Sequence, residues 1–161
     1  MTIKVGDKMP SATVKAISAG DAEDVNTDDL FKGKKVALFA VPGAYTPTCS
    51  AKHMPNYLEN AGALKAKGVG SVVCLTVNDP AVTKAWAEDQ SALGKITMIA
   101  DGSGIYAAML GLTFDGSAAG LGTRAKRFSM LIDDGIVKSI NVEDAPSKFE
   151  VSGADKILAQ L

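Results

Sequence analysis

Apolar residues gather into three nearly unbroken runs along the chain, 35–41, 71–77 and 96–100, rich in β-branched side chains and bounded by charged or turn-forming residues. Runs of that length without alternation predict strands buried on both faces of a sheet. Between the first two, residues 48–67 switch to helical spacing, with Leu58, Ala61 and Leu64 on one stripe and Gly68 as the stop. After the second run, Asp79 is placed to cap a helix that Pro80 opens and that extends to about Ser91. The turn Asp101-Gly102-Ser103-Gly104 leads into a short helix, Ile105 to Leu110.

Beyond that point the pattern changes. Arg127 to Ile132 and Ile136 to Ile140 flank Asp133-Asp134-Gly135, which predicts a β-hairpin, and a last helix is expected over Gly153 to Leu161. Gly111 to Lys126 is rich in Gly, Ala and Ser without periodicity and reads as a loop or irregular helix on the surface. Three βα units followed by an antiparallel hairpin and a closing helix describe an α/β fold with a mixed central sheet flanked by helices. No internal repeat or low-complexity tail interrupts it.

The 161 residues, 47% hydrophobic and 22% charged, suit a single domain spanning 1–161 with a substantial core. A formal net charge of −1 and the lack of a basic cluster exclude a nucleic-acid role. No run approaches the ~20 apolar residues needed to span a bilayer, so no membrane association is expected. Met1 to Pro10 lacks the apolar core of a signal peptide, and two cysteines without paired spacing make no disulfide framework. A reducing compartment is therefore expected, the cytoplasm, or an organelle matrix if a targeting peptide has been removed.

The chemistry concentrates at Cys49. The run 35–41 ends at Pro42, turn residues follow, and the helix begins near Cys49, so its sulfur is expected to face unpaired backbone N–H groups and the positive end of the helix dipole. That setting favours a thiolate. A dithiol exchange site would carry a second cysteine three residues earlier, where this chain has Thr46. A single thiolate beside a hydroxyl instead suits attack on an electrophile, with Thr46 able to donate to or accept from a bound oxygen.

The stretch Val41-Pro42-Gly43-Ala44-Tyr45-Thr46-Pro47-Thr48-Cys49-Ser50, containing Pro42-x-x-x-Thr46-x-x-Cys49, resembles the active-site signature of peroxiredoxins, specifically the peroxiredoxin 5 or type II subfamily. Lys4-Val5-Gly6-Asp7, Phe31-Lys32-Gly33-Lys34-Lys35, Val77-Asn78-Asp79 and Lys126-Arg127-Phe128-Ser129-Met130 resemble it in order and spacing, so the likeness covers nearly the whole chain. The resemblance implies a thioredoxin-like fold and reduction of hydrogen peroxide and alkyl hydroperoxides without metal, haem or flavin. In that scheme Cys49 becomes a sulfenic acid, Thr46 aligns the peroxide, Arg127 stabilises charge and Pro42 shields the sulfur. It also implies a homodimer, with Tyr45 and residues 111–126 as candidate interface regions.

Some subfamily members carry a further cysteine near the carboxyl terminus; here that region reads Phe149-Glu150-Val151-Ser152-Gly153-Ala154. The expectation is therefore a one-cysteine cycle resolved by an external thiol, glutathione with glutaredoxin or thioredoxin. Cys74, set within Val72-Val73-Cys74-Leu75, reads as core packing, and His53, four residues after Cys49, as a structural or supporting polar group rather than half of a hydrolase pair. Strand alternation puts Lys126 on the face opposite Arg127, while Arg124, before the strand, reads as an exposed cation, with a supporting partner of the site as the alternative. The alternative function is a peroxide-responsive redox sensor or chaperone with little turnover.

Overall fold

The computed structural model describes residues 2–161. Its elements are β1 (Thr13–Ile17), β2 (Glu23–Asn26), α1 (Thr27–Phe31), β3 (Lys35–Val41), a π-helical turn (Cys49–His53) continuing into α2 (Met54–Ala66), β4 (Val69–Thr76), α3 (Pro80–Asp89), β5 (Thr97–Ala100), α4 (Ile105–Leu110), β6 (Thr113–Asp115), β7 (Thr123–Ala125), β8 (Phe128–Asp133), β9 (Ile136–Val142) and α5 (Ala154–Gln160). Seven strands form one sheet in the order β2-β1-β5-β4-β3-β8-β9. The centre, β5-β4-β3, is parallel, and β1 and β8 flank it antiparallel.

Side-chain alternation along the central strands divides the core. Val36, Leu38 and Ala40 of β3, with Val73 and Leu75 of β4 and Phe128, Met130 and Ile132 of β8, pack on the face covered by α1 and α4. Ala37, Phe39 and Val41, with Val72, Cys74 and Leu131, pack on the opposite face with side chains of α2, α3 and α5 and with Cys49. Burial on both faces is the reason the central runs lack alternation in the sequence. Arg127 directly precedes β8 and shares the parity of Leu131, so it enters the Cys49 face, while Lys126 is exposed.

Local signals fix the ends. Asp79 accepts from the Val82 N–H at 2.8 Å with Pro80 in the first turn of α3. The β8–β9 hairpin turns on Asp134 and Gly135 at φ 49° and 81°, the left-handed pair that a two-residue type I′ turn requires.

Several elements depart from the sequence reading. Residues 111–126 are no irregular helix: β6 and β7 pair antiparallel around a 3₁₀ turn at Ser117–Ala119, and Leu112 and Ala125 at the base are buried. Strands of three residues are too short to show alternation. In α2 the buried stripe is Met54, Tyr57 and Leu64, with Leu58 and Ala61 at its margin. Among the described residues, no helix is long and apolar enough to cross a membrane.

Candidate active site

β3 ends at Val41, the chain turns through Pro42 to Thr46, and a helix begins at Pro47 whose π-helical turn opens at Cys49. Two side chains from neighbouring segments brace this loop. Asn78, just past β4, accepts from the Ala44 N–H at 2.8 Å through Oδ1. Arg124 of β7 donates from Nη1 to the Pro42 carbonyl at 3.1 Å and from Nε to the Leu121 carbonyl at 2.9 Å. Arg124 is therefore a half-buried strut of the active-site loop, which is the supporting role and not the exposed one preferred from its position before the strand. The loop can approach it because residue 43 is glycine: a Cβ there would lie 2.3 Å from Arg124 Nη1.

Cys49 and Arg127 are both buried, and Arg127 Nη2 donates to Cys49 Sγ at 3.0 Å. Among the described residues, no backbone N–H makes a hydrogen bond to this sulfur. Cys49 does lie in the first turn of the helix, which begins at Pro47, but the partner its sulfur finds there is the guanidinium, and magnitudes favour it: a hydrogen bond involving a charged group is worth ~1.5–3 kcal/mol, against ~0.3–1 kcal/mol for a helix dipole at an ordinary terminus. The Met54 N–H bonds to the Cys49 carbonyl, the i to i+5 closure of a π turn, a rare geometry that is frequent at functional sites.

Arg127 is held by acceptors that carry no charge. Its Nε donates to the Pro146 carbonyl at 3.0 Å and its Nη1 to His53 Nδ1 at 2.8 Å. His53 Nε2 lies 3.1 Å from the Ser152 carbonyl, an obligate acceptor, so Nε2 bears the proton and Nδ1 is the free acceptor for Arg127. Burial first, then the positive charge of Arg127, lowers the His53 pKa to about 3, so the ring is neutral at physiological pH. Its faces are packed by Phe39 and Phe149, each at 4.9 Å, and by Tyr57 at 5.5 Å. No carboxylate among the described residues forms a salt bridge with Arg127. Of the five guanidinium N–H groups, three are used, leaving one on each Nη.

Thr46 donates from Oγ1 to the Gly43 carbonyl at 2.7 Å, which leaves its lone pairs as acceptors. Pro42 is buried in the same loop. Ser50, next to Cys49, accepts from the buried Trp86 indole N–H at 3.0 Å. Cys74 lies in the same core cluster as Cys49 and is fully buried, both cysteines are free thiols, and burial first, then the nearby Cys49, pushes the Cys74 thiol well up. The structure thus brings Pro42, Thr46, Cys49 and Arg127 to one loop-helix junction, gives His53 the supporting polar role its spacing from Cys49 suggested, and adds Arg124 and Asn78, whose contacts with the loop no spacing in the sequence announces. Among the described residues, no group of three or more His, Cys, Asp or Glu could hold a metal ion.

A thioredoxin-like sheet carrying a lone cysteine against a buried guanidinium defines a thiol-based oxidoreductase. The profile of the Redoxin family matches residues 4–158, and the chain belongs to that family. It is 46% identical to Peroxiredoxin-2B of Arabidopsis thaliana over 160 residues, covering 99% of this chain and 98% of that one. The structure superposes with a TM-score of 0.91 on reduced Prx3 of Vibrio vulnificus in complex with hydrogen peroxide, at 46% identity, covering 98% of this chain and 95% of that one. A 1-Cys peroxiredoxin, the antioxidant protein of Plasmodium falciparum, superposes with a TM-score of 0.88 at 28% identity, covering 96% of each chain. The chain is a thiol-dependent peroxidase of the peroxiredoxin type.

Proposed function

We propose that the domain formed by residues 1–161 reduces hydrogen peroxide and alkyl hydroperoxides through Cys49. The observation that carries this reading is the 3.0 Å contact from Arg127 Nη2 to Cys49 Sγ, inside a site whose other Arg127 partners are neutral. A guanidinium so held keeps its full charge for the thiolate and for the oxygen that departs. The thiolate attacks one peroxide oxygen: an S–O bond forms as the O–O bond breaks, sulfur is oxidised to the sulfenic acid, and the departing oxygen takes a proton to leave as water or alcohol. Thr46 accepts the peroxide O–H, and the two unspent Arg127 N–H groups face the oxygens as charge develops. Pro42 shields the sulfur.

Resolution proceeds through an external thiol, glutathione with glutaredoxin or thioredoxin. That thiol displaces water from the sulfenic acid to give a mixed disulfide, and a second thiol releases Cys49. The support is the lack of any cysteine besides Cys49 and the core residue Cys74. No bound cofactor takes part. A homodimer formed through the exposed Tyr45 and residues 111–126 belongs to the same reading, and sedimentation as a strict monomer at micromolar concentration would remove it. The test of the chemistry is a pair of variants: Cys49→Ser should abolish peroxide consumption and Cys74→Ser should retain it, and the reverse pattern would overturn the assignment.

A further inference from the structure

The segment between β9 and α5, residues 144–152, has no regular secondary structure, yet three of its groups hold the Arg127–His53 pair: the Pro146 carbonyl, the Phe149 ring and the Ser152 carbonyl. Little within the segment explains its order. Among the described residues, its one internal backbone hydrogen bond outside regular elements is from the Lys148 N–H to the Ala145 carbonyl. From outside it, the Tyr57 hydroxyl donates to the Ser152 carbonyl at 2.9 Å and the Thr48 hydroxyl to the Ser147 carbonyl at 3.5 Å, but most of the bonds that gather it come from Glu143, the residue after β9. The buried carboxylate accepts from the backbone N–H groups of Glu150, Val151 and Ser152 at 2.8–3.0 Å and from the Ser152 hydroxyl at 2.6 Å. The Glu143 N–H in turn donates to the Arg127 carbonyl at 3.0 Å, so one residue grips both Arg127's own backbone and the loop that orients its side chain.

We propose that Glu143 is a positioning residue for peroxide reduction: its carboxylate folds residues 144–152 so that the Pro146 and Ser152 carbonyls fix the Arg127 guanidinium and the neutral His53 tautomer. The arrangement separates two demands. A carboxylate placed directly on Arg127 would fix its orientation but quench its charge. Placed one layer behind, and satisfied by four N–H and O–H donors of the loop, Glu143 supplies order while neutral carbonyls and an imidazole make the contacts with the guanidinium. Burial alone would raise the Glu143 pKa; the Ser152 hydroxyl and the three N–H groups outweigh it and hold the carboxyl below its ordinary value, so the latch is charged at neutral pH.

The inference rests on the peroxidase reading of the same site, and its test compares two rates on one thiol. Reaction of Cys49 with hydrogen peroxide needs the Arg127 N–H groups aligned on the departing oxygen, whereas alkylation by iodoacetamide needs only an available thiolate. Displacement of reacting groups by ~1 Å can cost about 100-fold. Glu143→Ala should therefore lower the peroxide rate by about 10- to 100-fold and the ratio of peroxide to alkylation rate by at least about threefold. Glu143→Gln, which keeps an acceptor oxygen for the Val151 and Ser152 donors, should return most of that ratio.

If Glu143→Ala does not fold, Glu143→Asp takes its place, keeping the charge while withdrawing the carboxylate by one methylene, and should show the same lowered ratio. An unchanged ratio in folded variants, with both rates intact or both falling in parallel, would overturn the proposal and leave Glu143 a structural anchor. Failure of the wild-type protein itself to react with peroxide would instead overturn the peroxidase reading.

Discussion

Replacing Arg127 with lysine keeps the positive charge and removes the fork. In the structure the guanidinium serves three acceptors in three directions: the Pro146 carbonyl at 3.0 Å, His53 Nδ1 at 2.8 Å and Cys49 Sγ at 3.0 Å. An ammonium on a shorter, flexible stem cannot satisfy all three, so at least one buried acceptor is stranded at a cost of ~1–3 kcal/mol. Stability should fall by about that amount. The effect on chemistry should be larger, because the two N–H groups not used in the resting site are lost as aligned donors to the departing oxygen. Removal of one such donor costs about 10²–10³ in rate elsewhere, or ~2.7–4 kcal/mol of transition-state stabilisation. Stopped-flow reaction of the reduced Arg127→Lys protein with hydrogen peroxide should accordingly be slowed at least about 100-fold, well below the melting temperature. A folded variant reacting within threefold of wild type would show that charge alone suffices and that the fork geometry is irrelevant.

His53 makes acid stability a second readout. Its folded pKa of about 3 lies below the ordinary value of 6.5, so the unfolded chain binds the extra proton first: stability is fully present above pH 6.5 and is lost as pH falls toward 3. The loss from this residue approaches about 1.4 kcal/mol per pH unit, and urea unfolding of His53→Asn should lack that slope between pH 6.5 and 5, above the range where most carboxylates titrate. An identical slope in the variant would mean that His53 is not buried neutral. Gly43→Ala places a Cβ 2.3 Å from Arg124 Nη1 and 3.2 Å from Thr46 Cγ2, so the guanidinium must swing aside and the Arg124–Pro42 bond should break, with a loss of ~0.5–1.5 kcal/mol in melting experiments and a slower peroxide reaction. Wild-type values for both would remove Arg124 as a loop strut. Cys74→Ala should lose ~1–2 kcal/mol of core packing and keep full turnover with an external thiol. A Cys49–Cys74 disulfide as the main product of one turnover in the wild-type protein would contradict this.

The central sheet was legible because β3 and β4 are buried on both faces and announce themselves as unbroken apolar runs, and because Asp79-Pro80 and Asp134-Gly135 carry their own capping and turn chemistry. The first 30 residues were not. β2 is an edge strand whose one partly buried side chain is Val25, β1 is five residues long, and α1 has five residues capped by Asn26, too little for either periodicity to emerge. Cys49, Thr46 and Pro42 could be picked out because they share one loop, and Arg127 from its resemblance to a family motif. Glu143, Ser152 and Pro146 could not, since two of the three act through backbone carbonyls, which any residue supplies, from a segment that lies far from Cys49 in the chain. Arg127 was expected at the sulfur from the family motif, but the 3.0 Å contact itself, across 78 residues of chain, and the neutral groups that hold the guanidinium are visible only in the packed structure.

The most direct test of the account is mass spectrometry of the fully reduced protein quenched after one equivalent of hydrogen peroxide, with a sulfenic-acid trap present. Rapid trapping at Cys49 with Cys74 left as a free thiol is the predicted result. Absence of rapid oxidation at Cys49, or oxidation first at Cys74, would contradict the assignment of Cys49 as the peroxide-reducing nucleophile.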